Sequence, residues 1–318
     1  MLEQRPYGAT GLTVSSIAYG AMTIAADPGL KDNVAPSLLH ALERGVTLID
    51  TARAYGKSEA IVATTLKQWR GAKPIISTKL MPGSRETFRF HRPLAEAYTP
   101  DSIRASVEAS LKALEVETLD IVHLHQWHYL WTHDRTWLDT LIELKREGKL
   151  RCIAVSAGDH EHDALLEAVS TKMIDGLQTI VNLFESRPAA TLVPLAKQRG
   201  VGVIARCVLD SGGLSGTLSR EDFAARAFLK HAPYDEYTAR LDALRSAFIP
   251  SEAADLPSLA LRFVLSLEGV SAATIGMPGV NFVDTTLDAA EQGVLLDTAV
   301  AAIKREHVWT KNFYEKLL

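Results

Sequence analysis

The stretch Gly45-Val-Thr-Leu-Ile-Asp50-Thr-Ala-Arg-Ala-Tyr55-Gly-Lys-Ser-Glu59 decides how the chain is read. It opens with a short β-rich run, Val46–Asp50, that is largely apolar instead of alternating, and that ends on a carboxylate. A strand covered on both faces reads this way, because neither side of its sheet meets water. Tyr55 follows five residues after Asp50 in the same loop.

Outward from this run the same unit recurs. Comparable segments are Ser16–Gly20, Pro74–Lys79, Leu119–His125, Arg151–Ser156, Leu177–Val181, Val201–Arg206 and Ser271–Ile275, which makes eight with Val46–Asp50. The connections are long enough for a crossover helix, so the strands are expected to be parallel. Two of the helices are plain. One starts at Thr99 as N-cap, with Pro100 at the first helical position and Asp101 near the positive dipole end. Its apolar stripe is Ile103, Val107, Leu111 and Leu114. The other runs from about Asp134, shows Leu138, Leu141 and Ile142 on one face, and stops at Gly148. Eight β/α units closing on themselves predict a single (β/α)8 TIM barrel domain spanning 1–318. An open doubly wound sheet is the alternative, but no G-x-G-x-x-G follows the first strand.

Bulk properties agree with an enzyme-sized core. The chain has 318 residues, 47% of them hydrophobic, and a net charge of −4, which favours neither nucleic acid nor an anionic membrane as partner. Two cysteines, Cys152 and Cys207, imply no disulfide framework, and the reducing cytoplasm is the expected compartment. No signal peptide is read at the N-terminus, and no apolar run approaches the roughly 20 residues of a membrane span. No metal site is called for.

Polar residues cluster at successive strand ends: Asp50 at the second, Tyr55 in the loop after it, Lys79 at the third and His125 at the fourth. A lone Asp, Lys or His at a strand end usually serves as a cap, a surface charge or a satisfied core histidine. Four of them at neighbouring ends of one barrel rim converge. Hydride delivered to a carbonyl carbon leaves an oxygen that needs a proton. A tyrosine can give it, though its ordinary pKa of about 10 makes it a weak acid. An ammonium beside it, Lys79, is expected to lower that value, with Asp50 holding Lys79 charged and in place. His125 can hydrogen-bond and orient the carbonyl oxygen. No side chain supplies a hydride, so a nicotinamide cofactor is implied.

These motifs resemble the aldo-keto reductase family over almost the whole chain. Arg5-Pro-Tyr-Gly-Ala-Thr-Gly-Leu-Thr-Val-Ser15 resembles its N-terminal hairpin, which plugs the barrel bottom, and Gly45–Glu59 its most specific signature. Ser77-Thr-Lys79 and Leu119-Asp-Ile-Val-His-Leu-His125 resemble the lysine and histidine motifs. The resemblance implies the tetrad Asp50, Tyr55, Lys79 and His125. Asp120, five residues before His125, marks which histidine carries over. His123 is expected to point the other way along the strand.

Cofactor positions follow from the resemblance with several departures. Ser156 and Gln178 are implied to hold the nicotinamide amide, with Asn182 in a familiar place and Ala157 where Asn is frequent. Arg206 stands where many members place an aromatic on the nicotinamide, and a guanidinium plane can stack in its stead. Leu209-Asp-Ser-Gly-Gly-Leu-Ser-Gly216, with Leu209, Ser211, Gly212 and Leu214, resembles the loop that wraps the pyrophosphate. Gly276 and Thr286 are implied cofactor positions after the eighth strand. Pro278, Phe282 and Thr286 stand where members carry a basic residue for the 2′-phosphate of NADP, then Gln and Asn. There is no Lys or Arg between Phe263 and Ile303. The gap means that NADP preference is reduced, that a charge arrives from another loop, or that cofactor binding has decayed; by family habit NADP(H) is the expected cofactor, with NAD(H) as the alternative.

Candidate substrate walls are Met22, Arg53, Trp127, Tyr129 and Trp131, with the loop Met81–Tyr98 and its Arg85, Phe88, Arg89, Phe90 and His91. Aromatics in Trp127–Trp131 serve equally to pack their loop down. The expected function is reduction of an aldehyde, ketone or sugar carbonyl by NAD(P)H. The alternatives are the reverse oxidation of an alcohol or sugar, and a nicotinamide-binding or non-redox protein on the same barrel. The expected partner is a small carbonyl compound. The resemblance implies a monomer for many members, and the tail with Trp309, Phe313 and Tyr314 either packs back on the barrel or meets another subunit.

Overall fold

The computed structural model describes residues 2–22, 24, 31–83 and 92–309. Arg85, Phe88, Arg89, Phe90, His91, Phe313 and Tyr314 lie outside the described residues. A two-stranded antiparallel hairpin, β1 (Gln4–Pro6) and β2 (Thr13–Ser15), precedes eight parallel strands. These are β3 (Ile17–Gly20), β4 (Leu48–Asp50), β5 (Ile75–Leu80), β6 (Leu119–Leu124), β7 (Leu150–Ser156), β8 (Gly176–Ile180), β9 (Gly202–Arg206) and β10 (Ala272–Ile275). They form a closed barrel, with β10 paired to both β9 and β3. Closure excludes the open doubly wound sheet.

Strand limits shift from the sequence reading by a residue or two, each for a local reason. Val46 leaves the second strand because its N–H bonds the carbonyl of Ala41, closing the end of helix Lys31–Glu43. Pro74 has no N–H to give a ladder, so β5 starts at Ile75. The fourth strand stops at Leu124, and His125 follows it with its N–H on the carbonyl of Leu80.

The helices follow their caps. Thr99 and Ser102 form a reciprocal capping box at the start of Pro100–Leu114. Ile103, Val107, Leu111 and Leu114 are buried on one side. The next helix begins at Thr136, two residues later than expected, because Asp134 takes the N–H of Thr136 in a turn of its own. The long loop after β9 carries helices Arg220–Ala225 and Tyr234–Phe248. Trp309 packs back on the barrel: its ring meets Phe184 and Tyr237, and the Arg240 guanidinium lies 4.7 Å from its centroid.

Inside the barrel, Leu48, Ile121, Ala154, Ile204 and Ala272 form an apolar floor together with Tyr7, Leu12 and Val14 from the hairpin. Tyr7 is fully buried beneath the strands. It needs glycines opposite: a Cβ on Gly176 would fall 1.9 Å from its hydroxyl, and one on Gly202 would fall 2.5 Å from its ring. The hairpin thus closes the N-terminal end and leaves the C-terminal rim open for binding groups. Gly176→Ala is expected to cost about 1–3 kcal/mol in urea unfolding, the usual penalty of overpacking. Tyr7→Phe is expected to leave stability equal or higher, since the Tyr7 hydroxyl is buried with no hydrogen-bond partner among the described residues.

Candidate active site

Parallel register places the polar strand ends side by side. Asp50 lies opposite Gly20 and Ser77, and Lys79 lies opposite His123. Residues two apart on a strand share a face, so Ser77 and Lys79 both point into the barrel. Lys79 is completely buried, and its ammonium reaches both Asp50 oxygens, at 2.9 and 2.8 Å, and the carbonyl of Thr51 at 2.9 Å. It stands 5.0 Å from the centroid of the Tyr55 ring, and ammonium and phenol influence each other electrostatically. The Tyr55 and His125 rings meet edge to face, with centroids 5.6 Å apart.

The loop that presents Tyr55 is sewn to the strands beside it. Thr51 and Arg53 give their N–H groups to the carbonyls of Ser77 and Lys79. The Arg53 guanidinium bonds buried Glu59 at 2.7 Å, and Glu59 accepts from Thr78 at 2.7 Å. Ser58 donates to the carbonyl of Ala21. The short turn from Ala52 to Tyr55 is therefore held at both ends.

Burial raises the Tyr55 pKa, and Lys79 pulls it back only in part, so the net direction is upward. This corrects the expectation of a net lowering by Lys79, because desolvation outweighs the ammonium. Lys79 is pushed down by burial and up by Asp50 and Tyr55, and it ends above its ordinary value. Burial, then Lys79 and Arg206, hold the His125 imidazole well below its usual pKa, so it is neutral. The tetrad thus comprises an ion pair, a protonated phenol and a neutral imidazole.

His123 does not point away. It is fully buried, and its Nε2 lies 3.1 Å from the Ser77 hydroxyl, which in turn donates to Asp50 at 3.0 Å. Two positions along a strand return to the same face, so His123 and His125 both project inward. Counting back in twos from Lys79 and His125 was the signal that would have found Ser77 and His123. Asp120 faces outward and binds the Ile76 N–H and the Arg151 guanidinium.

The cofactor candidates line the opposite arc of the rim. Ser156 and Gln178 are register partners, both buried. The Gln178 amide nitrogen is buried with no hydrogen-bond partner among the described residues, which suits a carboxamide acceptor. Arg206 donates to the Ala157 carbonyl at 3.1 Å and to Asp159 at 2.8 Å, so its plane is fixed beside the reaction centre. After it, Cys207, Asp210, Ser211 and Gly212 all have positive φ (54°, 45°, 57° and 93°), a cradle of turned backbone for an anion. Leu209 and Leu214 pack this loop onto the core. Asp210 receives the Tyr237 hydroxyl at 2.8 Å. Gly276 is exposed just past β10, and Thr286 is half-buried on helix Val280–Glu291. These residues fit a nicotinamide dinucleotide.

A model of the aldo/keto reductase family matches residues 16–306. The chain belongs to the aldo/keto reductase family. An NADH-specific methylglyoxal reductase of Escherichia coli is 29% identical over 235 residues, 69% of this chain and 71% of the relative. An L-galactose dehydrogenase of Arabidopsis thaliana is 26% identical over 302 residues, 92% and 89% of the two chains. Among solved structures, an aldo-keto reductase from Bacillus halodurans in its holo form shares the fold at a TM-score of 0.78 and 22% identity, covering 98% of this chain and 99% of that one. A glycerol dehydrogenase from Gluconobacter oxydans superposes with a TM-score of 0.75 at 25% identity, over 97% of each chain. This member is an NAD(P)H-dependent oxidoreductase acting on carbonyls. No helix among the described residues is long and apolar enough to cross a membrane.

The substrate candidates divide. Met22, two residues past β3, is 53% exposed, and Tyr129, which opens a short helix (Tyr129–His133) after β6, is 52% exposed. Arg53 is half-buried in its pair with Glu59. Trp127 is buried, donates to the Ala164 carbonyl and packs edge to face on Trp131 and Trp137, so it holds its loop down. Trp131 is likewise buried, donating to the Arg92 carbonyl. Lys79→Met leaves the Asp50 carboxylate buried and uncompensated, and it is expected to cost about 3–5 kcal/mol in unfolding. Pairing it with Asp50→Asn removes the stranded charge, so the double variant is expected to unfold later than Lys79→Met alone.

Proposed function

We propose that this enzyme reduces a small aldehyde or ketone with NADH, with Tyr55 as proton donor, Lys79 and Asp50 as its electrostatic support and His125 as the group that orients the carbonyl. The hydrogen bonds of Lys79 carry this reading. Its three protons reach both Asp50 oxygens and the Thr51 carbonyl, and its ammonium lies 5.0 Å from the centroid of the Tyr55 ring. Burial keeps the Tyr55 phenol protonated, so it has a proton for the substrate oxygen. Neutral His125 has an N–H to offer the same oxygen. Bound nicotinamide supplies the hydride, and Ser156, Gln178 and Arg206 orient it. A binding module has no use for a buried ammonium beside a tyrosine.

The choice of NADH rests on charge. Pro278, Phe282 and Thr286 offer no cation to a 2′-phosphate, and no Lys or Arg lies between Phe263 and Ile303. Asp284 on the same helix bonds His40 and Arg44. The NADH-specific relative agrees with this assignment. Oxidation of an alcohol or sugar is the second reading. The same four residues serve it, NAD suits it, and the galactose and glycerol dehydrogenases among the similar proteins favour it.

Titration by tryptophan fluorescence is expected to give a Kd for NADPH at least about 10-fold weaker than for NADH, one charge-assisted contact's worth. Equal affinities would overturn the NADH assignment. Tyr55→Phe is expected to lower kcat for methylglyoxal or 4-nitrobenzaldehyde by about 10²-fold or more while leaving NADH binding within twofold. With the Tyr55 pKa raised, the phenol stays protonated through neutral pH. Carbonyl reduction should therefore hold level from about pH 6 to 9 and fall only near or above the ordinary tyrosine value of about 10. Oxidation should rise with pH over the same range. Because His125 stays neutral, neither direction should show a break near pH 6.5.

A further inference from the structure

Below the tetrad lies a buried polar pair that the roles above leave unused. Ser77 and His123 are fully buried, directly above the apolar floor made by Leu48, Ile121, Ala154 and Ile204. Polar groups at such a depth are costly unless they are hydrogen-bonded. The Ser77 hydroxyl contacts Asp50 Oδ1 at 3.0 Å and His123 Nε2 at 3.1 Å. It has one proton, and an ionised carboxylate can only accept. Ser77 therefore donates to Asp50, and His123 Nε2–H donates to Ser77. That fixes the His123 tautomer. Burial, with Lys79 nearby, pushes its pKa down to about 4, so it remains a neutral donor throughout the working range.

Asp50 Oδ1 thus takes two hydrogen bonds, from Lys79 at 2.9 Å and Ser77 at 3.0 Å, while Oδ2 takes Lys79 at 2.8 Å. The Ser77 bond fixes the carboxylate plane that grips Lys79 on both oxygens. We propose that Ser77 and His123 are positioning residues, which hold Asp50 in register with Lys79 and so set the acidity of Tyr55. This rests on the tetrad reading and extends it by a further layer. The charged and titratable groups facing Tyr55 are Lys79 from β5, Asp50 from β4, Arg206 from β9 and His125 after β6. Of these, Asp50 alone is held by the pair. Without the Ser77 hydrogen bond its charge is less dispersed and draws Lys79 away from the phenol. Both changes make Tyr55 a weaker acid.

The test is stopped-flow single turnover of the enzyme preloaded with NADH, mixed with saturating 4-nitrobenzaldehyde. Ser77→Ala and His123→Leu are expected to slow NADH oxidation at least about 10-fold, with NADH affinity unchanged within twofold. Ser77→Thr keeps the hydroxyl, and His123→Gln keeps an N–H near the place of Nε2, so both are expected within threefold of the parent rate. The split between rate and cofactor affinity, with rescue by the conservative pair, is not what mere loss of packing produces. If Ser77→Ala and His123→Leu turn over like the parent, or if the conservative variants lose as much as the disruptive ones, the proposal is overturned. If rate and NADH affinity fall together, it is also overturned in favour of a purely structural role. Tyr55→Phe measured alongside separates this from the tetrad reading, which fails only if that variant turns over normally.

Discussion

The buried ion pair between Lys79 and Asp50 is the constraint around which the rim is built. An ammonium with no solvent contact is tenable only if each of its protons has an acceptor. The two Asp50 oxygens and the Thr51 carbonyl meet that demand from one strand and the loop that follows it. The pair therefore does more than lend charge. It ties β4 to β5 at their carboxyl ends, with the ammonium 5.0 Å from the centroid of the Tyr55 ring. Its desolvation cost is offset by the mutual attraction of the two charges and by the further hydrogen bonds from Ser77 to Asp50 and from Lys79 to the Thr51 carbonyl.

The candidate catalytic and cofactor groups occupy different arcs of one rim. Asp50, Tyr55, Lys79 and His125 come from β4 to β6 and their loops; Ser156, Gln178 and Arg206 come from β7 to β9. Arg206 joins the two arcs, since its charge is felt by both Tyr55 and His125 while its guanidinium is tied to Asp159 and Ala157. Cys207, Asp210, Ser211 and Gly212 after it have positive φ and turn the backbone sharply, with the Asp210 and Gly212 N–H groups closing turns onto the carbonyls of Cys207 and Leu209.

Most of the fold was legible in the chain, and so were the four candidate positions Asp50, Tyr55, Lys79 and His125 that the structure brings to one rim. Doubly buried strands carry apolar runs, helix caps carry their own residue types, and a catalytic signature is a contiguous stretch such as Asp50 to Tyr55. The departures have different origins, one a misapplied local period and the others burial. His123 was placed on the wrong face although a period of two puts it beside His125. Trp127 was counted among the substrate walls although its indole turns inward to Ala164. The sign of the Tyr55 shift was taken from its charged neighbour alone, without the burial that outweighs it.

Local sequence determined which segments become strands, where helices start and which residues reach the rim, because propensity, capping and hydrophobic period act within a few residues. It also determined that no Lys or Arg lies between Phe263 and Ile303, which is a matter of composition. Only the tertiary structure decided who meets whom. Lys79 and Asp50 are 29 residues apart, His123 and Ser77 are 46 apart, and Arg206 and Asp159 are 47 apart. Those meetings depend on the register of strands around a closed barrel and on competition for burial among side chains from distant segments. Both are global properties that no local window contains.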